Sequence, residues 1–154
     1  MLFRPIKPED EPYMDELFKS FSRETVRYRF FMILKEMSYA ALARYCNIDY
    51  DKEVAIVAEA QENGRIRLLG VVRLAVEPDG KTAEVAVVVG DPWQRLGLGS
   101  KLVDYIIEIA RDKGLNNLFA LMLRDNYKAI RLMKEKGFRI ESEENEAIRG
   151  VLKL

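Results

Sequence analysis

The chain has 154 residues, enough for one sizeable core and short for two domains. Its 49% apolar and 32% charged residues are those of an ordinary globular protein, and its formal net charge of +0 gives no sign of a non-specific nucleic-acid or membrane-surface binder. The sequence has no histidine, which removes Ser-His-Asp and Cys-His catalysis and histidine metal sites, and its one cysteine, Cys46, allows no internal disulfide and points to a reducing compartment.

Leu2 to Ile6 reads as a short strand, closed by Pro5 and Pro8. Acids soon follow Met1-Leu2-Phe3-Arg4-Pro5, so no signal peptide is expected. No apolar run reaches the ~20 residues of a membrane span. The expected location is cytoplasmic, for a whole protein or for one domain of a longer one. Glu9 to Phe18 has helical spacing, with Tyr13 and Leu17 on one side. Ser22 is a good N-cap for a second helix through Phe30 and Phe31, and Ser38 for a third in which Ala41, Leu42 and Tyr45 align. The aromatic and methionine side chains of this first third suit core and lid packing, or the wall of a substrate cleft.

A meander of three strands follows. Glu53 to Ala60 is the first, Glu62-Asn63-Gly64-Arg65 a hairpin turn, and Ile66 to Val76 the second strand. Pro78-Asp79-Gly80 turns the chain again into Thr82 to Val89. The nearly continuous apolar residues of that third strand predict that both of its faces are covered. Next comes an elbow, Gln94-Arg95-Leu96-Gly97-Leu98-Gly99, which opens a helix with the apolar stripe Leu98, Leu102, Ile106, Ile109 and Ala110. Gly114 ends that helix and Leu115 to Leu123 is a strand. Asp125 or Asn126 can cap a helix that Gly137 ends, and two strands close the chain, Phe138 to Glu141 and Ile148 to Leu154. The order predicts one α+β domain over 1–154 with a mixed sheet.

The elbow carries the first chemical signal. A helix start exposes free backbone N–H groups and the positive end of a dipole, and glycines at 97 and 99 allow an anion such as a pyrophosphate to approach the backbone. It is no P-loop, since Gly99-Ser100-Lys101 reverses the Gly-Lys-Ser/Thr order. It is no dinucleotide fingerprint, since it lacks the third glycine and follows an antiparallel meander. The strand before it holds one lone acid, Glu84. Strand alternation puts Glu84 on one face with Ala86 and Val88, so its surroundings are apolar. Desolvation there would raise its pKa toward neutrality, as suits a base; pairing with an arginine such as Arg73 is the structural alternative. Cys46 reads as a small buried cysteine with no base to activate it. Asp49 and Asp51 suit either the mouth of a cleft that receives a cation or a turn.

The segment from Asn126 to Phe138 resembles the second signature of the GNAT acetyltransferases, N-x-x-A-x-x-L-x-x-x-x-G-F. Glu84, ten residues before Gln94, resembles the strand glutamate that many members use as base, and the elements follow the family order over essentially the whole chain. More narrowly, Arg4 to Pro12, Ser20 to Phe31 and Asn47 to Asp51 look like the acetyltransferase module of bacterial protein lysine acetyltransferases of the Pat type. The resemblance implies a single GNAT-like domain with a mostly antiparallel twisted sheet of about seven strands and helices on both faces. It implies acetyl-CoA as cosubstrate, with no metal. The pyrophosphate would sit at Gln94, Arg95, Leu96, Gly97, Leu98, Gly99 and Ser100, and the pantetheine arm along Val87, Val88 and Val89. Asn126 would contact the arm near the sulfur, and Met133 stands where many members carry the tyrosine that protonates the leaving thiolate. A thioether cannot donate that proton. The implied acceptor is a protein lysine, an acyl-CoA synthetase among the possible partners. A small amine and a non-catalytic acetyl-CoA sensor are the two other readings.

Overall fold

The computed structural model describes residues 1–31, 37–141 and 147–154. In chain order the described elements are β1 (Leu2–Pro5), a 3-10 turn at Pro8–Asp10, α1 (Glu11–Lys19), α2 (Arg23–Phe30), α3 (Tyr39–Cys46), β2 (Glu53–Glu62), β3 (Arg65–Val76), β4 (Thr82–Val89), a 3-10 turn at Asp91–Trp93, α4 (Leu98–Asp112), β5 (Asn117–Leu123), α5 (Tyr127–Glu135), β6 (Arg139–Glu141) and β7 (Ala147–Lys153). The strands form one seven-stranded sheet in the order β1-β2-β3-β4-β5-β7-β6. All neighbours are antiparallel except β4 and β5. That exception follows from the connection: α4 carries the chain across one face of the sheet, and a crossover of this length returns a parallel strand.

Local signals in the sequence set most of these boundaries. The Ser22 and Ser38 hydroxyls accept the N–H groups of Thr25 and Ala41 at 3.1 Å, so α2 and α3 begin where those N-caps predict. The helix expected from Glu9 is divided: a 3-10 turn precedes α1, whose first turn holds Pro12. Proline suits that place because the N–H it lacks would have no helical partner there.

The sheet is covered on both sides. On one, Leu102, Val103, Ile106 and Ala110 of α4 pack on Val72, Leu74, Val85 and Leu118. On the other, Met14 and Leu17 of α1 and Leu42 and Cys46 of α3 pack on Val57, Leu68, Val71 and Val88. Val85 and Val88 of β4 thus belong to opposite layers, as the unbroken apolar run predicts. Burying a leucine such as Leu102 on folding contributes about 1.5–3 kcal/mol.

A charged cluster fastens the first strand to this frame. Asp10 is 0% exposed and takes both terminal nitrogens of Arg4 at 2.8 Å, together with the Lys7 N–H at 2.9 Å. The Arg4 Nε reaches Glu59 of β2 at 2.8 Å. One guanidinium therefore joins β1, the entry to α1 and β2.

Candidate functional site

The sheet divides at Glu84. Strands β4 and β5 pair only at Thr82–Asn117, Ala83–Leu118 and Glu84–Phe119, yet β4 continues to Val89 and β5 to Leu123. From Val85 onward, one edge of β4 has lost its partner. An unpaired strand edge is a template for an extended polar chain, because its N–H and C=O groups need partners. A cleft of about 500 Å³ opens here, between Val87–Val89 and the elbow on one side and the head of α5 on the other.

The elbow supplies the floor of the cleft. Arg95 (φ 66°) and Gly97 (φ 83°) are both left-handed. A non-glycine residue held so costs about 1–3 kcal/mol, and such strain gathers where a backbone must present its N–H groups. Gly97 is the N-cap of α4 and no side chain caps it, so the first turn of α4 is open toward the cleft that Gly99 and Ser100 line. A Cβ at Gly97 would meet nothing within 4 Å, and one at Gly99 only the Val89 and Leu132 side chains at 3.6 and 3.7 Å. Packing within the protein therefore does not demand glycine at 99. The space in front of both residues suits a group as large as a phosphate. Leu98 turns into the core and Leu96 is exposed, and neither of these two expected residues lines the cleft.

Gln94 is engaged within the protein. Its amide donates to the Val89 carbonyl at 2.9 Å and to the Thr25 hydroxyl at 3.2 Å. The Val89 oxygen, expected to serve a ligand, is thus held by Gln94; Val88 directs its backbone toward β3, as the neighbouring Gly90 N–H to Leu69 bond shows, and Val87 remains on the free edge.

Glu84 is the last residue of β4 that β5 still pairs, so its half-buried side chain stands where the two strands part. Opposite it is Phe119, with the Arg149 guanidinium 4.1 Å from the ring centroid. Among the described residues nothing hydrogen-bonds to the Glu84 carboxylate. Burial pushes its pKa above the ordinary value; Arg29 and Arg149 pull it back, and Glu77 adds to the push. The pairing with Arg73 is not formed. That guanidinium lies 4.3 Å from the centroid of the Tyr45 ring, donates to the Tyr45 carbonyl at 3.0 Å and has Glu53 at 3.5 Å.

Asn126 heads α5, its side-chain oxygen accepting the Ala129 N–H at 3.3 Å, and both residues line the cleft. Met133, from the same helix, does not line it. Its side chain is 2% exposed within the core of the α4 side, because position 133 falls on the sheet-facing side of α5. Asp49 is a turn residue whose carboxylate accepts the Asp51 N–H at 3.0 Å. Cys46 is buried in the α1–α3 layer, where burial pushes its thiol up to about 11, as expected of an inert cysteine.

The sequence offered a cleft wall as one of two readings for the aromatics of the first third, without saying which residues would form it. Thr25, Tyr28 and Arg29 of α2 line it, and α2 is tied to both of the other walls. At its start, Asp91 accepts the Ser22 N–H at 2.9 Å and the Thr25 hydroxyl at 3.1 Å. At its end, Arg27 pairs with Asp125 at 3.1 Å, and the Tyr28 hydroxyl donates to the Asp125 carbonyl at 3.2 Å. These partners lie 66 to 98 residues apart in the chain, beyond the reach of any local pattern.

The model of the acetyltransferase (GNAT) family matches residues 8–138. An acetyltransferase of Pseudomonas aeruginosa is 32% identical over 121 residues, which are 79% of this chain and 65% of that protein; the chain thus spans just under two thirds of the relative's length. The crystal structure of the GNAT domain of S. lividans PAT superposes with a TM-score of 0.89 at 26% identity, over 99% of this chain and 89% of that one. Spermidine N-acetyltransferase from Vibrio cholerae, solved with CoA and spermine, superposes with a TM-score of 0.78 at 21% identity over 99% and 94% of the two chains, a likeness of fold alone. The parted strands, the uncapped elbow and the Asn-headed helix agree with the match of the family model, and the chain belongs to the acetyltransferase (GNAT) family.

Proposed function

We propose that this chain is an acetyl-CoA-dependent N-acetyltransferase that transfers the acetyl group directly to the side-chain amine of a protein lysine, with Glu84 as general base. The observation that carries the reading is the parting of β4 from β5 immediately past Glu84, with an uncapped helix start beyond it. The cofactor's pyrophosphate would rest on the backbone of Arg95 to Ser100, and its pantetheine arm would pair with the free edge of β4 at Val87. When bound, acetyl-CoA supplies an acyl group already activated as a thioester.

The chain's own residues do the rest. A lysine ammonium must first lose a proton, since its free pKa is about 10.4. Glu84 would take that proton, directly or through a water, and its carboxyl, raised by burial, is the better base for it. An N–H on the free edge of β4 would polarise the thioester carbonyl as the tetrahedral intermediate forms. Asn126 would hold the arm near its sulfur. The N-terminal likeness to protein lysine acetyltransferase modules and the 26% identity to the S. lividans PAT domain support a lysine acceptor.

Glu84→Gln tests the base. Its kcat is expected to fall by about 10²–10⁴-fold and to lose the acidic limb of the pH profile; an unchanged rate and profile would remove Glu84 from the mechanism. The acceptor is tested by incubating the protein and acetyl-CoA with a bacterial proteome and, separately, with spermidine. Acetyl-lysine on proteins, read by mass spectrometry, is the expected product, and acetylation of spermidine alone sinks the lysine reading.

A further inference from the structure

Breaking a thioester releases a thiolate, and that charge is well met by a positioned proton donor. Met133 cannot supply the proton: it is a thioether, and it lies in the core. The described residues that line the cleft and carry a hydroxyl are Thr25, Tyr28, Ser100 and Tyr127. Thr25 already gives its proton to Asp91. Ser100 belongs to the first turn of α4, at the anion seat. Tyr127 is 74% exposed.

Tyr28 differs from all three. It is half-buried on α2 and spans the cleft, its hydroxyl donating to the Asp125 carbonyl at 3.2 Å, on the peptide bond that leads into Asn126. That contact is long and made to a neutral acceptor, so a developing thiolate competes well for the same proton. The helix that carries it is fixed by Asp91 at one end and by the Arg27–Asp125 pair at the other. Burial, with Asp125 and Glu24, keeps the phenol above its ordinary pKa, so the proton is present at neutral pH.

We propose that Tyr28 is the proton donor to the departing CoA thiolate. The proposal rests on the acetyl-transfer reading above, with the arm lying between β4 and Asn126. As the amine nitrogen bonds to the acetyl carbon, the C–S bond breaks and the amine proton passes to Glu84. The Tyr28 O–H bond breaks and an S–H bond forms. The phenolate recovers its proton from water.

The test compares the binding of CoA and desulfo-CoA by calorimetry from about pH 7 to about pH 10, below and up to the ordinary range of a phenol. A donor at the sulfur stabilises the bound thiolate, so the preference for CoA should grow with pH in the unsubstituted protein. Tyr28→Phe should cut that growth about tenfold, the worth of one hydrogen bond to a charged group. It should also lower kcat by about 10²-fold with little change in the KM for acetyl-CoA. A CoA preference in Tyr28→Phe that still rises with pH as before overturns the proposal even if turnover falls, because lost packing lowers turnover without touching the thiolate. Loss of the rise in Tyr127→Phe instead of Tyr28→Phe overturns it as well. Glu84→Gln should keep the rise and lose turnover, so failure of the base and failure of the donor are read separately.

Discussion

Asp10 and Glu84 are both carboxylates withdrawn from water, and they differ in what meets their oxygens. Asp10 takes two nitrogens of Arg4 and one backbone N–H, all within 2.9 Å. Glu84 has Phe119 as its cross-strand neighbour, and the arginines that act on it, Arg29 and Arg149, lie against aromatic rings. Burial raises both carboxyls. At Asp10 the hydrogen bonds from Arg4 and Lys7 outweigh burial and hold the carboxyl below its ordinary range, whereas at Glu84 burial wins. Burial alone therefore does not mark a reactive acid. An acid is kept ready to accept a proton when it is buried and left without close donors.

The comparison breaks most sharply under substitution. Asp10→Ala leaves the Arg4 guanidinium, mostly covered by protein, without its bidentate partner. Removing one member of a buried ion pair costs about 3–5 kcal/mol, a large share of the ~5–15 kcal/mol that holds a domain folded. Urea unfolding is the measurement, and a loss under about 1 kcal/mol would show that the cluster is a surface pair in effect. Glu84→Gln, which keeps the shape and removes only the charge, is expected to leave stability unchanged or slightly raised at neutral pH, because that charge is one that burial opposes.

Acid titration sharpens the same contrast, since the two signs are opposite. Asp10 has a lowered carboxyl, so its contribution is complete above the ordinary value of 3.8 and is lost as pH falls through the folded value. Glu84 has a raised carboxyl, so its contribution is complete below the ordinary value of 4.5 and is lost as pH rises through the folded value. Thermal melts of Glu84→Gln and of the unsubstituted protein should therefore converge in acid and separate, with Gln the more stable, as pH rises past about 5. Parallel curves at every pH would mean that Glu84 is not perturbed by its site.

Much of this was legible because it is local. Ser22, Ser38 and Asn126 cap helices through a residue three positions on, so a window of a few residues contains the whole interaction. The lone acid in an apolar strand and the two glycines of the elbow are local in the same sense. The parting of β4 from β5 is not derivable from the residues, because pairing depends on where two strands 35 residues apart diverge. That α2 forms a wall stood only as one of two readings of its aromatics, and the residues of that wall are not legible for a stronger reason: its ties to Asp91 and Asp125 span 66 to 98 residues, and neither acid stands in a pattern that periodicity reveals. Met133 holds the place of the thiolate-protonating tyrosine in a signature, yet its side chain points into the core on the sheet side of α5.

The smallest expected effect tests whether the ring-bound arginines matter to Glu84 at all. The Arg149 cation rests on the Phe119 ring, beside the acid and not on it. At that range it favours the carboxylate without donating a hydrogen bond, a purely Coulombic influence that solvent in the cleft weakens. Arg149→Gln removes the charge and keeps a polar side chain of moderate length. The Glu84 carboxyl should then rise further, and the acidic limb of the kcat/KM profile should move to higher pH by less than about one unit. Added salt should produce a shift of the same sign in the unsubstituted protein and a smaller one in the variant, because there is less charge left to screen. A limb that moves to lower pH would mean that Arg149 acts on the acceptor and not on the base.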